Sequence, residues 1–359
     1  MADPRVARYA SVLIDECLDV QPGWEVVVQA QPLAEPLVDA VMSALARRGA
    51  FGLLRLTYEF LNATPSWMRE APEELLRTMP RVEAGIIEAQ DALVQIQAPG
   101  NTRAGSDVPS ERLNLIRQTR RPYYEEYFTG EARWVGCQFP TPALAQDAGL
   151  TLTQFEDFLY GAVLIDWSEA RDSMRLIGDR FDDAGEVRIV AEETDLRFSL
   201  AGRSGAVDAA GSNMPGGEVY YSPVEDSAEG VISFSEYPAC YLGHQVPGVR
   251  FRFEGGRVVE ASADADEPFL IATLDTDEGA RRLGEFGIGC NPGIQQHMRN
   301  TLFDEKIEGT VHLAIGNGFP FLGGTNVSAV HWDIVKDLRR GGRIECDGEV
   351  VQEDGVWRL

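Results

Sequence analysis

Two hydrophobic periodicities alternate along the first 183 residues, and few folds accommodate such an alternation. Apolar residues recur at helical spacing over residues 5–19, 34–48, 70–79, 110–128, 151–164 and 168–183. Short apolar runs with the length of buried strands stand between them at 24–28, 51–56, 92–96 and 133–137. Strands that alternate with helices predict a parallel sheet covered by helices. We therefore expect the chain to begin with a doubly wound α/β domain.

Beyond residue 183 the pattern changes to short β-rich segments. They lie at 187–190, 197–199, 230–234, 249–253 and 258–261. Residues 250–261, RFRFEGGRVVEA, predict a hairpin that turns at Glu254-Gly255-Gly256, because glycines interrupt an alternating pattern there. We predict an α/β scaffold domain over residues 1–183 and a mixed, β-rich α+β domain, which carries the metal and the catalysis, over residues 184–359.

Charge and composition exclude several classes of function. The 359 residues include 57 acidic and 32 basic residues, a net charge of −25, which repels nucleic-acid phosphates and anionic lipids. Neither a P-loop nor the glycine-rich dinucleotide motif follows the first predicted strand. No apolar run approaches the ~20 residues of a membrane span, and the start MADPRVARYA has no secretory pattern. We expect a cytoplasmic protein that binds neither nucleic acid nor membrane.

Two of the four histidines lie in a short glycine-rich region near the C-terminus. His331 and Asp333 occupy alternate positions of AVHWD, so that on a strand both side chains point to the same face. His312 lies on another strand-like run, GTVHLAIG, and the loop over 316–324 can fold it back beside His331. Two imidazoles and a carboxylate suit zinc, manganese, cobalt or iron. Alone, a histidine and an aspartate at this spacing are more often a core residue beside a surface residue.

Two carboxylates stand in glycine-rich surroundings. Glu285 lies in LGEFGIGCNPG, and Glu218 follows a Pro-Gly-Gly turn in NMPGGEVYYSP. Glycines allow a backbone and a ligand to approach closely, and an acidic residue at a strand start is often a presented ligand. Each of the two would, taken alone, also fit a solvated turn.

Four blocks, in order, carry a resemblance to a known family. NMPGGEV, GEFGIGCN, DEKIEGTVHLAIG and GGTNVSAVHWD, spread over residues 213–333, resemble the thermophilic aminopeptidase family, that of aminopeptidase T. The resemblance implies that one or two divalent ions are bound by five residues: Glu218, Glu285, His312, His331 and Asp333. It also implies a homodimer, or a higher homo-oligomer, with the active site in an enclosed cavity between domains.

The sequence departs from the family pattern in two respects. Phe319 stands where these aminopeptidases usually carry a tyrosine, seven residues after the third-block histidine, and the chain is shorter than typical members. We expect Phe319 to contact the substrate. Lys306, one of only two lysines, precedes the His312 strand and is expected to neutralise a substrate carboxylate, with an ordinary surface lysine as the alternative.

The leading hypothesis is a hydrolase that releases N-terminal residues from short peptides by means of metal-activated water. A bound divalent ion lowers the pKa of water from about 15.7 toward about 7. If two ions bind, Glu285 is the best bridging ligand, and otherwise Glu218 or Glu285 serves as the general base.

Three other functions remain open. The 5-nitroanthranilate aminohydrolases resemble this family and hydrolyse an aromatic amine with a similar ligand set. The 2,5-dihydroxypyridine dioxygenases resemble it too, including a segment like PVEDSAEG at 223–230, but they have a histidine where Glu285 stands and no counterpart of His312. A binding module without catalysis is the fourth reading, which holds only if the five candidate ligands do not converge.

Overall fold

The computed structural model describes residues 3–57, 63–129 and 132–358. It divides into two compact units, the first made of Met1–Leu164 with Ala210–Pro215 and the second of Ile165–Ala209 with Gly216–Leu359. The helix over Trp167–Phe181 falls in the second unit, where Gly178 accepts a hydrogen bond from Tyr221. The domain boundary between residues 183 and 184 stays a prediction.

The elements follow one another as helices and strands in the first half and mainly strands in the second. The helices are α1 Pro4–Ser11, α2 Glu35–Arg48, α3 Pro65–Glu70, α4 Glu73–Leu76, α5 Arg81–Ala89, α6 Ser110–Thr129, α7 Pro142–Asp147, α8 Leu152–Val163, α9 Trp167–Phe181, α10 Glu267–Leu274 and α11 Thr301–Asp304. A π-helical turn over Val12–Cys17 continues α1, and 3₁₀ turns lie at Pro32–Ala34 and Pro320–Leu322.

The strands form three larger sheets and one short ribbon. They are β1 Glu25–Ala30, β2 Phe51–Leu56, β3 Ala92–Gln97, β4 Arg133–Gln138, β5 Val187–Ala191, β6 Thr194–Phe198, β7 Ala206–Asp208, β8 Asn213–Met214, β9 Glu218–Tyr221, β10 Glu229–Phe234, β11 Ala239–Tyr241, β12 His244–Val246, β13 Val249–Glu254, β14 Arg257–Ser262, β15 Leu283–Gly289, β16 Thr310–Gly316, β17 His331–Asp337, β18 Arg343–Cys346, β19 Glu349–Glu353 and β20 Val356–Trp357.

The first unit contains the parallel sheet that the alternating pattern predicts. Its strand order is β2-β1-β3-β4-β8, and every neighbouring pair is parallel. Val26, Val27 and Val28 of β1 are all buried, as expected for a central strand covered on both faces. Because β1 lies between β2 and β3, the strand order reverses there, which is the doubly wound arrangement. The predicted α/β class is confirmed.

Local signals explain several helix ends. Asp3 caps α1 and Asp166 caps α9 through their side chains, and α2 ends at Gly49 with φ 72°. The single helix predicted over 70–79 is wrong. The chain there forms separate short helices, because Pro72 and Pro80, which lack an N–H, stand at the N-caps of α4 and α5. Among the described helices, none is both long and apolar enough to cross a bilayer.

The second unit is built on two antiparallel sheets. One has the order β14-β13-β10-β6-β5-β18-β19-β20 and the other β17-β16-β15-β9-β7, beside the ribbon β11-β12. The predicted hairpin is confirmed as β13–β14, in which Glu254 pairs with Arg257. Gly255 and Gly256 make the turn with φ 55° and 74°, a left-handed conformation that favours glycine.

The two faces of the five-stranded sheet have different roles. On one face, Phe286 of β15 packs against Phe198 of the larger sheet, with ring centroids 5.0 Å apart, and against Phe181 of α9 at 5.8 Å. Residues alternate between faces along a strand, so Glu285 and Gly287 lie on the opposite face. That second face carries the candidate site.

Candidate metal centre

The five candidate ligands converge on one face of the five-stranded sheet, from four of its strands. His331 and Asp333 stand on alternate positions of β17, as the spacing predicts. Asp333 pairs with Ala314, which pairs in turn with Glu285 of β15. His312 is on β16, and Glu218, the first residue of β9, pairs with Gly289. Side chains that are distant in sequence are thereby brought together by strand register.

Small residues make the space that these side chains occupy. Gly287 pairs with His312 on one side and Tyr220 on the other. A Cβ atom at Gly287 would lie 2.0 Å from Cε1 and Nε2 of His312, so the imidazole fills the space above this glycine. The glycine-rich context of Glu285 therefore serves the packing of a neighbouring strand's side chain.

Glu285 is shared between two groups of potential ligands. Its Oε1 is 3.3 Å from Nε2 of His312, and its Oε2 is 3.0 Å from Nε2 of His331. Glu218 Oε2 lies 3.6 Å from Nε2 of His312, and Asp333 Oδ1 lies 3.5 Å from Nε2 of His331. Within each group, Glu218–Glu285–His312 and Glu285–His331–Asp333, the ligand atoms lie within 4.8 Å of one another.

Backbone carbonyls orient both imidazoles. Nδ1 of His312 is 2.9 Å from the carbonyl oxygen of Glu305, and Nδ1 of His331 is 2.9 Å from that of Asn317. A carbonyl only accepts, so in each ring Nδ1–H donates and Nε2 is the nitrogen turned toward the carboxylates. Such a second hydrogen bond is typical of metal-binding histidines, because it determines the tautomer and the ring orientation.

Burial and mutual charge shift the acidity of the cluster. Burial raises the pKa of Glu218 to about 8, although Lys306 and His312 oppose this shift. Burial disfavours the charged form of His312, but the hydrogen bond and charge of Glu285 outweigh it and raise the pKa to about 9. For Asp333, burial is outweighed by the charge and hydrogen bond of His331, which lower its pKa. The carboxylates are thus held in place by cations.

The donor set fits a divalent transition metal. Asp333 Oδ1 is buried, and its contact with Nε2 of His331 is long, at 3.5 Å, so a cation that faces this oxygen would stabilise it. Two imidazole nitrogens with three carboxylates suit manganese, zinc, cobalt or iron better than magnesium or calcium, which prefer oxygen ligands alone.

The family model described as thermophilic metalloprotease (M29) matches residues 2–357. The chain belongs to this family. The resemblance seen in the four sequence blocks is therefore confirmed, and this M29 metalloprotease is a metal-dependent hydrolase.

Individual relatives agree with the family assignment. Aminopeptidase 2 of Geobacillus stearothermophilus is 28% identical over 351 residues, which cover 87% of this chain and 83% of that protein. The structure of wild-type AmpT from Thermus thermophilus superposes with a TM-score of 0.83, at 24% identity over 99% of both chains. A 2,5-dihydroxypyridine dioxygenase from Pseudomonas putida KT2440 superposes with a TM-score of 0.65, at 14% identity over 98% of this chain and 96% of that one. At such identities the two structures show the shared fold alone.

Phe319 and Lys306 contact different ligands of the cluster in this M29 metalloprotease. The Phe319 ring is 5.2 Å from that of His331, and the His331 side chain is 31% exposed, so this side is open to a substrate. Lys306 is fully buried, with Nζ 3.2 Å from Oε1 of Glu218 and in contact with the carboxylate of Glu305. The surface-lysine alternative is therefore wrong, whereas the roles of Phe319 and Lys306 toward a substrate stay predictions.

Sequence reasoning missed two residues of the site. Glu305 completes the pair of carboxylates around Lys306, and nothing in its local pattern separates it from a surface residue. Tyr220 contacts Phe319, with ring centroids 5.4 Å apart. The sequence could have predicted that Tyr220 belongs to the site, since it lies two residues after Glu218 on the same face of one strand. The other histidines lie elsewhere: His244 pairs with Asp266, and His297 with Asp304.

Proposed function

We propose that this protein is an aminopeptidase with two divalent transition-metal ions, held by Glu218, Glu285, His312, His331 and Asp333. The observation that carries the proposal is the carboxylate of Glu285, whose two oxygens face two different imidazoles at 3.3 and 3.0 Å. A carboxylate shared in this way is suited to bridging two ions. Glu218 and His312 would complete the first site, and His331 and Asp333 the second.

The ions would supply a nucleophilic water at neutral pH and polarise the carbonyl of the scissile bond. The chain's own residues would bind the ions and accept the proton of the attacking water. Both oxygens of Glu285 are directed at imidazoles, so this residue is assigned to bridging. Glu218 has Oε1 against Lys306 and Oε2 turned toward the cluster. Oε2 is thus the oxygen of Glu218 that would bind the first ion, and the general base that takes the proton of the attacking water is one of the two glutamates, Glu218 or Glu285.

Specificity for the N-terminal residue would follow from charge. A free peptide begins with an α-ammonium group, and three of the five proposed ligands, Glu218, Glu285 and Asp333, are carboxylates that can attract it. The relatives carry aminopeptidase in their names, which supports the same assignment. We propose short peptides with a free amino terminus as the substrates, hydrolysed with manganese, zinc, cobalt or iron bound.

The decisive assay compares two substrates that differ only at the amine. Leucine p-nitroanilide has a free α-ammonium group, and N-acetyl-leucine p-nitroanilide does not. We expect the protein loaded with Mn²⁺, Co²⁺ or Zn²⁺ to hydrolyse the first and to leave the second intact. Equal hydrolysis of both would contradict the aminopeptidase assignment while leaving a metal-dependent hydrolase in place.

A second candidate function is the hydrolysis of a small aromatic amine. The exposed side of the cluster is aromatic: Phe319 contacts Tyr220, Phe321 and His331 at centroid distances of 5.4, 5.5 and 5.2 Å. A flat ring could stack there. Ammonia release from a panel of amino-substituted benzoates would favour this function over the first.

A third candidate, a ring-cleaving dioxygenase with non-haem iron, shares the fold. Such an enzyme consumes dioxygen, whereas a hydrolase does not. Turnover that stops in an anaerobic chamber and returns with air would identify it.

We also propose the assembly and location of the protein. The family resemblance implies a homodimer, which sedimentation or light scattering would measure, and the sequence pattern implies the cytoplasm.

All five proposed ligands lie between residues 184 and 359, so we assign catalysis to this part of the chain and scaffolding to residues 1–183.

A further inference from the structure

Tyr220 lies on the ligand-bearing face of the sheet. Side chains alternate along β9, so Tyr220 shares the face of Glu218, while Tyr221 is directed into the core, where its ring lies 6.3 Å from that of Phe286. Across the sheet Tyr220 pairs with Gly287, whose other partner is His312. The tyrosine thus stands in the same row as one of the proposed ligands, separated from it by a residue without a side chain.

Through Phe319, the ring of Tyr220 is in contact with the second group of ligands, Glu285–His331–Asp333. It meets Phe319 in an edge contact at 5.4 Å, and Phe319 meets the imidazole of His331 at 5.2 Å. Tyr220 and Phe319 are both partly exposed. They therefore line the side of the cluster that a substrate can reach, and of the two only Tyr220 has a hydroxyl.

The hydroxyl of Tyr220 is available to a ligand. Within the described chain it makes no hydrogen bond to protein, in contrast to the hydroxyl of Tyr221, which donates to the carbonyl of Gly178 at 2.8 Å. A protonated phenol can donate one hydrogen bond. Tyr220 therefore presents an unused donor beside the carboxylates and imidazoles.

We infer that Tyr220 is a catalytic residue whose hydroxyl donates a hydrogen bond to the substrate's carbonyl oxygen as that oxygen becomes negatively charged. The inference rests on the proposed function, since it needs a carbonyl under attack by water. The hydroxyl keeps its proton throughout, so no bond to it forms or breaks. A donor placed where charge develops typically contributes about 10²–10³-fold in kcat.

The test removes only the hydroxyl. We expect Tyr220→Phe to lower kcat for leucine p-nitroanilide by about 10²-fold with a small change in KM and to keep its metal content. We also expect it to bind the phosphonic acid analogue of leucine, a mimic of the tetrahedral intermediate, at least about 10-fold more weakly by calorimetry. The matched control is Tyr221→Phe, which loses a hydroxyl on the opposite face and should keep both kcat and affinity for the phosphonate.

A second arm moves the hydroxyl to the neighbouring ring. In the Tyr220→Phe background, Phe319→Tyr places a phenol on the ring in edge contact, and we expect it to restore part of the lost kcat.

These measurements distinguish a failure of the aminopeptidase function from a failure of the role given to the Tyr220 hydroxyl. A wild-type protein that neither cleaves the anilide nor binds the phosphonate contradicts the proposed function, and this inference with it. If the wild type does both, three results for Tyr220→Phe overturn this inference alone: unchanged kcat and affinity, a kcat loss equal to that of Tyr221→Phe, or a loss of bound metal, which would assign the hydroxyl to the metal site.

Discussion

The imidazole of His312 lies over Gly287 on the adjacent strand, so closely that a Cβ atom at position 287 would stand 2.0 Å from its Nε2. The ring is almost fully buried and is held from the other side by the Glu305 carbonyl at 2.9 Å. The glycine and the histidine therefore form one structural unit, although the segment that contains α11 separates them in the sequence.

Gly287→Ala should displace the His312 ring and weaken metal binding. We expect metal content and activity to fall about 10-fold or more, as is usual when a partner that orients a ligand is lost. Gly161→Ala is the matched control, because Gly161 lies in α8 with nothing within 4 Å of an added Cβ, and alanine is favoured there by about 1 kcal/mol. A Gly287→Ala protein with full metal content would contradict this prediction, because it would show that the His312 ring does not need the space above Gly287 to bind metal.

His331→Ala and Asp333→Ala should abolish activity and lower the metal content while the fold persists. Both side chains lie at the more open side of the cluster, so their loss leaves the packed core intact. Metal analysis with circular dichroism measures both effects. His244→Ala serves as the control, because this exposed histidine pairs with Asp266 away from the cluster. Variants at 331 and 333 that still load fully would exclude these residues as ligands.

Exhaustive chelation should stop turnover, and Mn²⁺, Co²⁺ or Zn²⁺ should restore it. Because Glu285 offers one oxygen to each group of ligands, we expect about two ions per chain at saturation. Glu218→Gln should reduce the ions bound per chain toward one, since Glu218 belongs to only one group. Activity that survives removal of all metal would refute a metal mechanism.

Metal binding should be strongly pH dependent. Against the effect of burial, the hydrogen bond and charge of Glu285 raise the pKa of His312 to about 9, so this imidazole is protonated at neutral pH when no metal is bound. An ion must displace that proton. The affinity for metal should therefore increase as the pH is raised toward about 9 and decrease as the pH is lowered. Calorimetry in two buffers of different ionisation enthalpy should detect the release of a proton on metal binding at neutral pH. An affinity constant over this range would contradict the assignment.

The two lysines allow a matched comparison. Lys306 and Lys336 are both fully buried, and their ammonium nitrogens lie 3.2 Å from Glu218 and 2.7 Å from Glu236. Lys306→Met leaves buried carboxylates unpaired and should lower the free energy of unfolding by about 3–5 kcal/mol, together with metal affinity. Lys336→Met should cost less, because Glu236 is 29% exposed, and should leave metal content unchanged. Equal metal contents in the two variants would show that Lys306 does not contribute to metal binding.

The prediction of the fold succeeded where the signal was local. The strands around Val26–Val28 and the hairpin at Gly255–Gly256 follow from apolar period and turn chemistry, both readable within about ten residues. The helix predicted over 70–79 failed because Pro72 interrupts that segment and Pro80 directly follows it, a local signal that the apolar spacing concealed.

For the site, spacing alone predicted the shared face of His331 and Asp333, because side chains on a strand alternate with a period of two. His312, Glu285 and Glu218 were candidates from their strand-like or glycine-rich context, and the resemblance of four blocks to a family joined all five into one ligand set. The same alternation would have identified Tyr220 from Glu218. Nothing local identified Glu305, whose role comes from its contact with Lys306.

By itself, then, the amino-acid order determined the α/β and β-rich halves and a set of ligand types, since periodicity and turn residues act over short stretches of chain. Only the tertiary structure decided that Glu285 stands between two imidazoles, that Lys306 is buried against Glu218, and that Tyr220 reaches the open side. Those distances depend on which strands become neighbours and in what register, and register is determined by the packing of the whole sheet.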